Sequence, residues 1–129
     1  MTIIVSYPKT HQFSTRRANK YGAKKTEYNG VVYDSKREAS YAQELDLKKN
    51  EKQPAERVVH VERQWRIRLN VNDVKICDHI IDFWVEYADG HIELVEVKGY
   101  ETAVWKIKRK LLEATFLKEH PKIEYIIIK

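Results

Sequence analysis

The chain has 129 residues, 43% of them hydrophobic, which is enough for one modest core and too little for two. Its 24 Lys+Arg against 19 Asp+Glu leave a formal charge of +5, a balance suited to phosphate partners. No apolar run approaches the roughly 20 residues that span a bilayer, Met1 to Tyr7 does not read as a secretory leader, and the single Cys77 rules out an internal disulfide and a cysteine zinc knuckle. The expected compartment is the cytoplasm, with no membrane partner.

Residues 1–26 show no sustained period and carry Arg16, Arg17, Lys20, Lys24 and Lys25. They read as a flexible basic arm that orders on DNA, or otherwise as a solvated tail. A single domain is expected over 27–129. It opens with Tyr28-Asn29-Gly30-Val31, an Asn-Gly turn between β-formers and hence a hairpin.

Ser35 to about Asn50 is the first expected helix, with Ser35 as cap, Glu38 at the capping-box position, and Ala42 and Leu45 continuing the stripe. Three strands follow. Val58–Leu69 places Val59, Val61, Trp65, Ile67 and Leu69 on one face, and Asn70, Asn72 and Asp73 mark a turn. Val74–Tyr87 closes at Ala88-Asp89-Gly90, and His91–Lys98 ends at Gly99. Short links favour an antiparallel meander. A second helix, Thr102 to Glu119, has an expected inward stripe of Val104, Ile107, Leu111 and Ala114. Ile123–Ile128 reads as a strand buried on both faces and reached by a parallel crossover.

The chemistry concentrates in the second and third strands. Asp82 sits inside an apolar strand, where an unpaired carboxylate is costly. Glu96 and Lys98, two apart, share a strand face. If the hairpin pairs these strands, Asp82 and Glu96 converge. Two carboxylates with the Val97 carbonyl form a hard oxygen site suited to Mg²⁺, with Mn²⁺ as a substitute. Such a metal polarises a phosphoryl oxygen and lowers the pKa of bound water. Lys98 would orient that water. The plainer readings are a surface Glu96–Lys98 ion pair and an Asp82 bonded to a turn. Glu38 is open between helix cap and catalysis. Lys106, Lys108, Arg109 and Lys110 on the second helix form a basic cluster near the same site, which would hold the DNA backbone or face solvent. His79, two residues from Ile81, is expected to face away from Asp82, and His91 to sit in a turn.

Ile81-Asp82 followed by Glu96-Val97-Lys98 on consecutive strands, within helix, three-strand meander, helix and strand, resembles the PD-(D/E)xK nuclease superfamily. Over residues 30–129 the likeness is to small phage-encoded nucleases and, more loosely, to phage endonuclease-I-type Holliday-junction resolvases. Ile81 replaces the signature proline. The resemblance implies an α/β, restriction-endonuclease-like core with a mixed sheet flanked by helices. It further implies Mg²⁺-dependent DNA cleavage by Asp82, Glu96 and Lys98 with a helix glutamate such as Glu38, a branched or Holliday-junction substrate in phage replication or recombination, and a homodimer. The rival expectation is a nucleic-acid-binding or replication and packaging accessory that keeps the fold without catalysis.

Overall fold

The computed structural model describes Thr2–Ile3 and residues 24–129. Arg16, Arg17 and Lys20 of the expected arm lie outside those residues. The domain is α/β, with a mixed sheet, a separate hairpin and helices. No helix among the described residues is long and apolar enough to cross a membrane.

The hairpin joins β2 (Thr26–Tyr28) to β3 (Val31–Tyr33), with β1 at Thr2–Ile3. Asn29 and Gly30 have φ of 53° and 80°, the two left-handed residues that a primed turn needs. Helix α1 (Lys36–Lys48) starts where the Ser35 hydroxyl accepts the Glu38 N–H at 3.1 Å, and it buries Glu38, Ala39, Ala42 and Leu45 at helical spacing. Strands β4 (Val58–Val71) and β5 (Val74–Tyr87) form a long hairpin turning on Asn72 and Asp73, both at positive φ. Strand β6 (Ile92–Val97) follows the tight turn at Gly90 (φ 96°).

The expected second helix divides into α2 (Ala103–Ala114) and α3 (Phe116–Glu119). Thr115 leaves helical geometry at φ −116° and ψ −84°, and its hydroxyl donates to the Leu111 carbonyl, a local bond that competes with the helix ladder. Strand β7 (Glu124–Ile128) completes a sheet of order β1-β4-β5-β6-β7, antiparallel except for the β6–β7 pair. The meander and the parallel crossover are therefore present. Burial of β7 on both faces is not. As the last strand of the sheet it is only half-buried.

Each face of the sheet carries its own core. Tyr33, Leu45, Phe83, Val85 and Val95 pack on the α1 side, and Trp65, Ile67, Ile81, Leu94 and Leu112 on the α2 side. Along β5, Phe83 and Val85 face α1 whereas Ile81 faces α2, so the alternation changes phase at Asp82. Strand β4 does the same opposite it. Arg63 lies over the Tyr33 ring on the α1 side and Trp65 belongs to the α2 core, with Gln64 between them at φ 54°. The expectation that Val59 to Leu69 present one face is thus corrected. Val59 is exposed, and the strand serves two opposite layers on either side of a left-handed residue.

The inward face of α2 is corrected as well. Val104 and Ile107 are 63% and 61% exposed, and Trp105 and Leu112 are the buried pair. Their seven-residue spacing is also helical. A hydrogen bond from the Trp105 indole to Glu96 draws that residue inward, a tertiary contact that apolar periodicity cannot register.

Candidate active site

Pairing between β5 and β6 runs from Glu86↔Ile92 to Phe83↔Val95 and stops there. Asp82 and Glu96 are the next residues on the two strands, so both sit where the sheet opens. An opened ladder strands backbone donors. Asp82 Oδ2 accepts the Val97 N–H at 2.7 Å and so closes that gap. The Lys98 N–H donates to the Ile128 carbonyl of β7. Because successive residues of a strand present their backbone groups to opposite sides, Val97 turns both its N–H and its carbonyl toward β5.

Around this point lies a cleft of about 970 Å³. Asp82, Glu96, Val97 and Lys98 line it from the sheet, Asp34, Ser35, Arg37 and Glu38 from the start of α1, and Thr102, Trp105 and Lys108 from the start of α2. Glu38, Asp82, Glu96, Val97 and Lys98 are thereby brought together. Of the basic residues expected to meet DNA, Lys108 reaches the cleft, but Lys106 and Lys110 do not line it. Arg109 stacks on Trp105 at 5.9 Å and pairs with Glu113 at 3.6 Å. Lys25 pairs with Asp34 at 3.1 Å, and Lys24 is exposed.

The three carboxylates differ in electrostatics. Burial pushes the Asp82 carboxyl well above the usual range, and the nearby Glu38 charge adds to this, outweighing the Val97 N–H. Burial likewise raises Glu38, to about 7, with Asp34 adding to it and Arg63 opposing. Glu38 is 3% exposed and lies 3.5 Å from the Arg63 guanidinium, while its Oε1 has no hydrogen-bond partner among the described residues. Its N–H is held by the Ser35 cap, while its carboxylate is available to the cleft, so capping and a role in the site do not compete.

Glu96 is the opposite case. Burial pushes it up, but hydrogen bonds from His79, Tyr125 and Trp105 prevail and hold it below the ordinary value. His79 Nε2 lies 2.8 Å from Oε2, the Tyr125 hydroxyl donates to the same oxygen, and the Trp105 indole donates to Oε1 at 3.1 Å. The Trp105 ring also carries the Lys98 ammonium 5.4 Å from its centroid. Glu96 and Lys98 share the α2 face, but their common partner is an aromatic ring; neither is a plain surface group.

Three contributors were not legible in the sequence. Regular alternation turns His79 away from Asp82 and says nothing of Glu96; the phase change at Asp82 brings its ring to Glu96. Tyr125 gives one sequence signal of its role, a lone hydroxyl in an otherwise aliphatic strand end. Arg63 reaches Glu38 across the sheet and had no local signature.

Among the described residues no three His, Cys, Asp or Glu side chains form a group that could hold a metal on their own. A family model described as protein of unknown function (DUF1064) matches residues 18–127. No curated protein and no solved structure matches the chain. Every residue named in the cleft falls inside the matched span, and the chain belongs to the DUF1064 family.

Proposed function

We propose that the chain is a divalent-metal-dependent DNA endonuclease of PD-(D/E)xK type, built on a restriction-endonuclease-like core and acting in the cytoplasm. The observation that carries this reading is the meeting of Asp82, Glu96 and Lys98 in one cleft where β5 and β6 part. Mg²⁺ is commonly held by only one or two carboxylates, with water and substrate phosphate completing the shell. The donor set fits that habit. Asp82 has one oxygen committed to Val97 N–H, Glu96 has acceptor capacity left on Oε1, and the Val97 carbonyl points toward β5. Burial raises the Asp82 and Glu38 carboxyls, with Glu38 and Glu96 repelling Asp82 and with Asp34 repelling Glu38, and a cation would relieve that cost.

Asp82, Glu96 and the Val97 carbonyl would hold the ion, with Mn²⁺ as substitute. Bound there, a divalent cation supplies Lewis-acid polarisation of a phosphoryl oxygen. Lys98 orients the attacking water and balances negative charge gathering on the phosphate. Glu38, titrating near neutrality, is placed to exchange a proton. Arg37 and Lys108 stand on opposite walls to receive flanking phosphates, and the basic arm with Arg16, Arg17 and Lys20 extends the backbone contact. A branched or Holliday-junction substrate and a homodimer with two sites follow from the nuclease resemblance.

A second reading, a nucleic-acid-binding protein without catalysis, is favoured by the three donors on Glu96, which would equally suit a carboxylate kept for structure. Linear, single-stranded and four-way-junction DNA incubated with the protein, with and without Mg²⁺, separates the two. The nuclease reading expects Mg²⁺-dependent cleavage of at least one substrate. Tight binding with no cleavage of any would favour the second.

A further inference from the structure

Glu96 is held from three separate elements, by His79 of β5, Tyr125 of β7 and Trp105 of α2. A carboxylate's two oxygens offer about four acceptor positions. Oε2 receives two donors, His79 and Tyr125, and is full. Oε1 receives one, Trp105, and keeps one position. His79 and Glu96 are 2% and 3% exposed, so water does not replace these donors. The other ring nitrogen of His79, Nδ1, is buried with no hydrogen-bond partner among the described residues. Glu96 is therefore the polar contact the imidazole makes. A buried histidine held by one carboxylate oxygen fixes that oxygen's direction without passing a load to any wider network.

We infer that His79 and Tyr125 are positioning residues that clamp Oε2 of Glu96, leaving Oε1 as the single oxygen through which this carboxylate serves a divalent cation. The inference rests on the metal-site reading of Glu96 and specifies its denticity. A one-oxygen carboxylate suits the strict octahedron of Mg²⁺ and Mn²⁺, whereas Ca²⁺ readily takes carboxylates through both oxygens. Groups that orient a ligating side chain commonly control metal affinity by 10–100-fold. Tyr125→Phe removes one hydroxyl and keeps the ring, and His79→Phe removes the ring donor. His79→Gln returns an N–H near the place of Nε2.

The experiment is a Mn²⁺ titration of the full chain by electron paramagnetic resonance, without DNA, on wild type and these three variants, with melting temperature recorded for each. Expected is wild-type binding, a loss of about 10–100-fold in Mn²⁺ affinity for Tyr125→Phe and His79→Phe, and recovery to within a few-fold of wild type for His79→Gln. Tyr125→Phe, the smallest change, carries the test should His79→Phe not fold. Wild-type affinity in Tyr125→Phe and His79→Phe overturns the clamp and leaves the metal site standing. Failure of His79→Gln to recover what His79→Phe loses overturns it for His79. A wild type that takes up no Mn²⁺ removes the metal site and the clamp together.

Discussion

The two faces of the sheet treat a buried acid in opposite ways. On the α2 side Glu96 has three donors and is held ionised. On the α1 side Glu38 has only its Oε1 in a 3.5 Å ion pair with the Arg63 guanidinium, without a hydrogen bond to that oxygen among the described residues, and its carboxyl is pushed up to about 7. Asp82, at the junction of the two layers, takes one backbone N–H and feels both other carboxylates. Burial alone does not decide the charge of an interior carboxylate; the number of donors reaching it does. One acid is fixed as an anion, and the other two have too few donors to offset their burial.

Replacing the junction residue tests that contrast most severely. Asp82→Asn keeps the shape and the bond to Val97 but removes the charge. Cleavage of whichever DNA the wild type cuts should disappear in a gel assay, with melting temperature no lower. Cleavage at a near wild-type rate would remove Asp82 from the site.

Lys98→Ala tests the cation on the well-satisfied side. Charge stabilisation of this kind is commonly worth about 2.7–4 kcal/mol, so the single-turnover rate at saturating Mg²⁺ should fall by about 10²–10³. Its stability should barely change, since the ammonium rests on an aromatic face. An unchanged rate would reduce Lys98 to a partner of Trp105.

The packing of the α2 layer can be broken at two positions with unequal results. Leu112→Ala should cost roughly 2–5 kcal/mol in denaturant unfolding, because its side chain is fully buried. Ile107→Ala should stay within about 0.5 kcal/mol. Equal losses would restore the inward stripe expected from periodicity.

The finest test concerns the α1 side. Glu38 has a folded-state pKa raised from 4.5 to about 7, so between those values the native state holds a proton that the unfolded chain has released. Its share of stability is present below about pH 4.5 and is lost as pH rises toward about 7, a change of up to about 3 kcal/mol at about 1.4 kcal/mol per unit. Glu38→Gln should remove that slope from urea unfolding measured at pH 5, 6 and 7. A slope of equal size in the variant would assign it elsewhere.

Much of this arrangement can be read from local chemistry. Asn29-Gly30, Asn72-Asp73 and Asp89-Gly90 announce their turns because few residues tolerate the left-handed backbone there, and Ser35 announces its helix by capping. Asp82, Glu96 and Lys98 stand out because charge inside apolar strands is expensive. What escaped depends on contacts between distant segments. Trp105 turns inward for Glu96, His79 reaches that same carboxylate through the phase change, and Arg63 crosses to Glu38. The pleat rule places side chains correctly only while the pleat is unbroken, and it breaks where β4 and β5 pass Gln64 and Asp82.

That break has a consequence for how the domain tolerates change. A strand with a phase slip is two short amphipathic strands written end to end, each tuned to a different helix. Gln64 is the node between them, and Arg63↔Phe83 and Trp65↔Ile81 keep one register on either side of it with no Gln64↔Asp82 pair between. A residue inserted at the node would invert one half against its helix and leave the other half correct, so the damage would divide the molecule at Asp82. Glycine at the node carries no left-handed penalty, which the L-residue meets at roughly 1–2 kcal/mol. Glycine also loses roughly 0.5–1 kcal/mol more backbone entropy on folding, so position 64 is a place where the side chain can be dispensed with at little net cost.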